Sequence, residues 1–133
     1  MARTHHIRLG IIGAAALLLA AASTASAQDA AKLKNPVAAN AASIAAGKTA
    51  YQKYCKFCHG DDAKGNGALA PKGTNPPNLT DATWDHGSTD GEIFMAIKEG
   101  VGPKFDMKAM KAKMMDKDIW NTVNYLRSLG PKK

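Results

Sequence analysis

The chain has 133 residues, and its 18 Lys and Arg against 11 Asp and Glu give a formal charge of +7. Only 6% of residues are aromatic, and no helix-turn-helix, zinc finger or basic run of the nucleic-acid-binding kind appears. Nucleic acid is therefore excluded as a partner, and the positive balance reads as solubility and as steering toward an acidic protein surface.

The N-terminal segment reads as an address. Arg3, His5, His6 and Arg8 form a basic start, Leu9 to Ala22 is apolar apart from its glycines, and Ala25-Ser26-Ala27 is a small-x-small cleavage site. Residues 1–27 are expected to be a cleaved secretory signal peptide, with Gln28 opening the mature protein. An uncleaved membrane anchor is the alternative, but the apolar run is 14 residues long, whereas a spanning helix needs about 20. Without Arg3 and Arg8, 16 basic and 11 acidic residues remain, a formal +5.

Residues 28–40 are polar and alanine-rich, and Asn35-Pro36 opposes an early helix, so this stretch is expected to be a loose N-terminal arm. Residues 41–133 are expected to be one domain with a thin core. A helix is predicted from about Ala41 to Lys56, because Ile44, Gly47, Tyr51, Tyr54, Cys55 and Cys58 recur at spacings of three and four. A glycine inside a helix costs about 1 kcal/mol relative to alanine, so Gly47 points to a backbone or ring packed closely against it.

That helix delivers Cys55-Lys56-Phe57-Cys58-His59. Two thiols three residues apart with a histidine directly after the second fit covalent haem attachment, the cysteines adding to the vinyl groups and His59 binding the iron. A zinc site would need two further ligands at similar spacing, and the chain has no third cysteine. A redox dithiol would sit at a strand-to-helix junction, of which there is no sign. A disulfide is compatible with export but leaves His59 without a role. A haem buried in so small a domain would be part of its core, and the apo-protein is expected to fold poorly.

Gly60 to Gly67 is a run of turn formers, and Pro71, Pro76 and Pro77 followed by Asn78-Leu79-Thr80 predict an ordered loop. A ligating histidine usually donates its second ring N–H to a carbonyl, and Pro71 is the candidate acceptor. Thr89 and Glu92 have capping-box spacing, so a helix should start near Asp90, bury Ile93, Phe94 and Ile97, and stop at Gly100. A methionine- and lysine-rich loop covers Val101 to Met115. A last helix is predicted from Asp116 as N-cap to just before Gly130-Pro131, with Ile119, Trp120, Val123 and Leu126 inward and Tyr125 flanking.

The sixth iron position decides between electron transfer and ligand chemistry. Met95 lies in a predicted helix, and Met114 and Met115 adjoin the last one, where methionine commonly fills gaps. Met107 and Met110 lie in the loop and are the candidates. His86, in an exposed-looking loop, is the remaining nitrogen donor.

Taken together, the chain resembles a class I c-type cytochrome, the small exported bacterial mono-haem kind, from about Ile44 to Leu129. The resemblance rests on Gly47-x-x-x-Tyr51-x-x-x-Cys55-x-x-Cys58-His59-Gly60, Gly65-x-Gly67 and Pro77-Asn78-Leu79-Thr80. It continues through Gly91-Glu92-Ile93-Phe94 with Ile97 and Gly100, and ends on Asp118-Ile119-Trp120 through Val123-x-Tyr125-Leu126-Arg127-Ser128-Leu129. It implies an all-α cytochrome c fold of a few helices around one covalently attached haem c, the first and last helices crossing near Gly47. In similar sequences the axial methionine lies 13 residues before the tryptophan of the final helix, which is Met107 here. Lys108 stands where the family usually has proline, and Met110 is the alternative sixth ligand.

The function expected from this resemblance is a periplasmic electron carrier, not an enzyme, that passes single electrons between redox proteins on a His59- and Met107-ligated haem iron. Lys53 and Lys56 beside the motif, with Lys104, Lys108, Lys111 and Lys113 in the methionine loop, are expected to form a positive rim for an acidic docking surface. The mature chain is expected to have no membrane span and to act as a monomer. The alternatives are the haem subunit of a periplasmic dehydrogenase complex, or an open-site haem enzyme or sensor.

Overall fold

A computed structural model describes residues 28–82, 84–103 and 106–131 of the chain. The expected signal peptide lies outside the described residues, as does Lys104. The described part is all-α. Its helices are α1 (Ala41–Tyr54), the single turn α2 (Lys56–His59), α3 (Asp90–Glu99) and α4 (Asp116–Leu129), preceded by a short helical stretch at 28–32. The one β feature among the described residues is an isolated antiparallel bridge between Val101 and Met107.

Each helix begins for a local reason. The Asn40 side chain accepts the Ser43 N–H at 2.9 Å and starts α1. Thr89 and Glu92 form the full capping box at α3, and Gly100 ends that helix with φ 81°. The start of α4 differs by one residue from expectation. Met115 is the N-cap, without a side-chain cap bond, and Asp116 is the first helical residue, its carboxylate 2.9 Å from Lys98 Nζ. The expected first helix is divided, because α1 ends at Tyr54 and α2 restarts after Cys55.

The core forms where α1 and α3 pack against α4. A β-carbon on Gly47 would lie 2.0 Å from the Asn121 carbonyl oxygen, so α1 and α4 meet backbone to backbone there. Beside this crossing the Tyr51 and Tyr125 rings lie 5.4 Å apart at 56°, while Phe94 and Trp120 stack at 4.0 Å and 11°.

Two expectations need correction. The arm 28–40 is tied down rather than loose. Asn35 Nδ2 donates to Trp120 O at 3.2 Å and to Asn124 Oδ1 at 2.8 Å, and Asn124 Nδ2 donates to Val37 O at 3.1 Å. The arm also passes over Gly91, where a β-carbon would meet Ala30 O at 2.0 Å. In addition, α4 is buried on every side from Ile119 to Leu126, including Asn121, Thr122 and Asn124. Periodicity assigns such polar residues to solvent. Here the arm and Ser43 cover Asn121 and Asn124, with Ser43 Oγ donating to Asn121 Oδ1 at 2.8 Å and Asn124 Nδ2 to Ser43 Oγ at 2.7 Å, while Thr122 Oγ1 donates to Asp118 O at 2.8 Å.

Candidate functional site

The three motif residues come together in one turn. The Cys55 N–H still donates to Tyr51 O at 2.8 Å, closing α1, and the Cys55 carbonyl then accepts from both Cys58 N–H (3.1 Å) and His59 N–H (3.0 Å). Cys55 lies in the apolar core, whereas Cys58 is half-buried with Sγ 3.4 Å from Leu69 O. Burial, aided by Cys58, pushes the Cys55 thiol up to about 12. A thiol so placed is neutral at pH 7, which argues against a reactive dithiol. An uncharged thioether suits the same surroundings. Nor is a zinc site formed, because among the described residues no three His, Cys, Asp or Glu side chains are grouped to hold a metal ion.

Burial also holds the His59 imidazole below its ordinary value, which keeps it in the neutral form that binds metal. Its Nδ1 is buried and has no hydrogen-bond partner among the described residues. A buried ring nitrogen without a protein partner is uncommon and fits a side chain that a bound group completes. The expected Pro71 acceptor does not serve it. The Pro71 carbonyl accepts instead from Thr74 N–H (3.0 Å) and Thr74 Oγ1 (2.7 Å) in a local turn.

The loop after the motif folds back along it. Gly65, Gly67 and Leu69 donate N–H bonds to His59 O (2.8 Å), Cys58 O (3.2 Å) and Phe57 O (2.8 Å), so the carbonyls of α2 are satisfied by the returning chain. A β-carbon at Gly67 would fall 2.5 Å from Cys58 O. From α1, the Tyr51 hydroxyl donates to Gly60 O at 2.7 Å. The sequence placed Tyr51 on the inward face but carried no sign of this bond, because its acceptor is a backbone atom positioned by the turn.

Met107 and Met110 are both half-buried against the apolar cluster that contains Cys55. Met107 is held by its bridge to Val101, through N–H···O contacts of 2.9 and 3.3 Å, and Met110 donates its N–H to Ile97 O at 3.0 Å. The last turn of α3 and the residues just after it thus hold the backbones of both candidates. Met114 is buried in the core, Met115 is 72% exposed, and Met95 is half-buried within α3. His86 is exposed in a turn ahead of α3.

The surface around the motif is more mixed in charge than expected. Lys56 lies 3.5 Å from Asp61, and Lys111 pairs with Glu99. Lys53, Lys108 and Lys113 are exposed, with no acidic side chain within ion-pair distance among the described residues. On the outer side of α2 an open cleft of about 590 Å³ is lined by Lys56, Phe57, Asp61, Asp62, Asn66 and Leu69, among others. Phe57 and Leu69 there are 48% and 66% exposed.

An all-α chain that crosses its first and last helices at a glycine and ends the first in Cys-x-x-Cys-His has the architecture of a class I c-type cytochrome. Residues 42–126 match the family described as cytochrome c oxidase, cbb3-type, subunit III, and the chain belongs to that family. Membership implies haem c and its iron as cofactor. A cbb3-type cytochrome c oxidase subunit CcoP from Azospirillum sp. (strain B510) is 32% identical over 96 residues, which are 72% of this chain and 32% of that protein. The chain spans about a third of the length of the curated relatives it matches. Among solved structures, a reducing HAO-like protein complex of Kuenenia stuttgartiensis shares the fold at a TM-score of 0.65 and 23% identity, over 76% of this chain and 49% of that one. A c-type cytochrome aligns at a TM-score of 0.53 and 29% identity, over 64% of this chain and 98% of its own.

Proposed function

We propose that this protein is an exported electron-transfer cytochrome that carries one electron at a time on a single covalent haem c between protein partners on the periplasmic side. The observation that carries this reading is the motif turn, where a buried, uncharged Cys55, a half-buried Cys58 and a neutral His59 with a buried, unpartnered Nδ1 are held by one carbonyl and one returning loop. The two cysteines of the chain suffice for one attachment. Haem c bound there would supply a ferric/ferrous couple.

The chain's own residues do the rest. Cys55 and Cys58 tether the group to the end of α1, and His59 presents an axial nitrogen from a turn with little freedom. Met107, fixed through Val101, is the sixth ligand, with Met110 as the alternative. Sulfur opposite imidazole favours a high potential, and the apolar cluster disfavours the more charged oxidised state. Two occupied axial positions exclude substrates, so the protein transfers electrons without catalysing a reaction of its own. Among the described residues no helix is long and apolar enough to cross a membrane. Residues 1–27 are assigned as the cleaved export signal.

Paired optical and redox titrations of the wild type, Met107→Ala and Met110→Ala test this. Met107→Ala should give a high-spin ferric spectrum and rapid carbon monoxide binding to the ferrous form. If Met110→Ala does so instead, the sixth ligand is Met110. If the wild type already behaves that way, the open-site enzyme or sensor is the better reading.

A second reading is a stably bound haem subunit of a larger redox complex, as in an oxidase or dehydrogenase. It is favoured by the relatives, which are subunits of cbb3-type oxidases. In that case residues 1–27 would remain as an anchor. Gel filtration of native extract, with mass analysis of the N-terminus, separates a free cleaved carrier from an anchored or assembled one.

A further inference from the structure

The proposed axial ligand has an unusual set of restraints. The His59 ring has no partner on Nδ1 among the described residues, so protein bonds to that atom do not set its orientation. The main chain must do so. His59 N–H donates to Cys55 O at 3.0 Å, and His59 O accepts from Gly65 N–H at 2.8 Å. Immediately after the ligand, Gly60 has φ 84° and ψ 161°, a region open essentially to glycine alone. Gly60 N–H still closes the helix on Lys56 O at 2.8 Å, but beyond that bond the helix gives no further support, and the carbonyl side of Gly60 needs another restraint.

Its carbonyl is what is held. Gly60 O accepts a long bond from Ala63 N–H at 3.3 Å and a short one from the Tyr51 hydroxyl at 2.7 Å. Among these restraints on His59 and Gly60, Tyr51 is the one that comes from a side chain. It is also a rigid one. Tyr51 is 1% exposed, stands one helical turn before Cys55 and packs its ring against Tyr125.

We propose that Tyr51 is a positioning residue for His59: its hydroxyl clamps the Gly60 carbonyl, fixes the backbone on the C-terminal side of the ligand, and thereby sets the imidazole orientation and the haem potential. This rests on the reading of His59 as axial ligand. The clamp acts in two ways. It removes a rotational freedom next to the ligand, and it draws electron density from the buried carbonyl of the residue that follows it. Without the hydroxyl, that carbonyl is more negative and favours the oxidised state.

The test uses the holoprotein with Tyr51→Phe, which keeps the ring and deletes only the donor, and Tyr125→Phe as a control in the same aromatic pair. The readouts are reduction potential and the ferric low-spin electron paramagnetic resonance spectrum. Loss of one buried hydrogen bond should change the electron partition against a mediator by up to about fivefold, toward the oxidised protein, and should broaden the low-spin lines. Tyr125→Phe should change neither. Should Tyr51→Phe fail to hold haem, site-specific 3-fluorotyrosine at position 51 replaces it. Its more acidic phenol strengthens the donor, and the potential should rise. A wild-type potential and spectrum in the tested Tyr51 variant, whatever its melting temperature, overturns the proposal, as does an equal shift in Tyr125→Phe. A holoprotein whose ferric spectrum is left unchanged by His59→Ala would instead overturn the ligand reading beneath it.

Discussion

Gly47 and Asn121 meet without side chains between them: a β-carbon on Gly47 would stand 2.0 Å from the Asn121 carbonyl oxygen and 2.8 Å from Tyr125 Cβ. The first of these neighbours is backbone and cannot rotate aside. Gly47→Ala would gain about 1 kcal/mol of helix propensity, but forcing α1 away from α4 costs about 1–3 kcal/mol, and a contact this short belongs at the upper end. The holoprotein should lose about 1–2 kcal/mol in denaturant unfolding. Equal or greater stability would show that the helices are free to separate there.

Asn124 joins three parts of the chain, through Ser43, the Val37 carbonyl and Asn35. Asn124→Leu keeps the branched shape but leaves the buried Ser43 and the half-buried Val37 carbonyl and Asn35 without this partner. The expected loss is about 2–3 kcal/mol. Limited proteolysis checks the route, since cleavage within 28–40 should accelerate well before global unfolding. An arm no more sensitive than in the wild type would mean that its docking depends on other contacts.

The capping box makes a small pH-dependent contribution. Hydrogen bonds from the Thr89 backbone and side chain hold the Glu92 carboxyl below its usual 4.5. The folded value is depressed, so the stabilisation is fully present above pH 4.5 and fades as pH falls through the lower folded value. Glu92→Gln should therefore be less stable than wild type at neutral pH, by no more than about 1 kcal/mol for so exposed a group. The difference should shrink in acid. A gap that stays constant from pH 7 to pH 3 would remove the carboxylate from the explanation.

The proposed covalent attachment through Cys55 and Cys58 makes haem retention the simplest assay. Wild-type protein should keep its haem on a denaturing gel, and Cys55→Ala/Cys58→Ala should lose it. The double variant should also fold poorly, because the cofactor is expected to supply part of a thin core. Release of haem from the denatured wild type would contradict thioether linkage.

Electrostatic steering should be modest. Lys56 and Lys111 already face Asp61 and Glu99, which leaves Lys53, Lys108 and Lys113 as exposed cations near the motif and the loop. Transfer to an acidic partner should slow with added salt, and Lys108→Glu with Lys113→Glu should slow it further at low salt. Stopped-flow rates indifferent to both changes would locate docking elsewhere, with the exposed Phe57 and Leu69 the next surface to examine.

Helix starts and stops were legible because they depend on neighbours in sequence. Thr89 with Glu92 and Gly100 act within a single turn, and their spacing can be read without the fold. The same holds for Cys55, Cys58 and His59, which one turn brings together through the Cys55 carbonyl. Gly47 was legible for a different reason, since a glycine that weakens a helix implies something that needs its space.

Long-range relationships were not. Pro71 seemed free to receive a bond from His59, yet Thr74 takes its carbonyl. The arm seemed loose because its polar residues have no partners nearby in sequence, and Asn35 finds them 85 and 89 residues away.

By itself, then, the sequence determined the family resemblance, the motif on which covalent attachment is proposed and the helical frame, because thiol spacing and capping are local. Only the tertiary structure decided that Asn121 and Asn124 are buried, that the arm is docked and that Tyr51 reaches the Gly60 carbonyl. Each depends on which backbone atoms the folded chain brings within hydrogen-bond distance, and residue spacing carries no record of that.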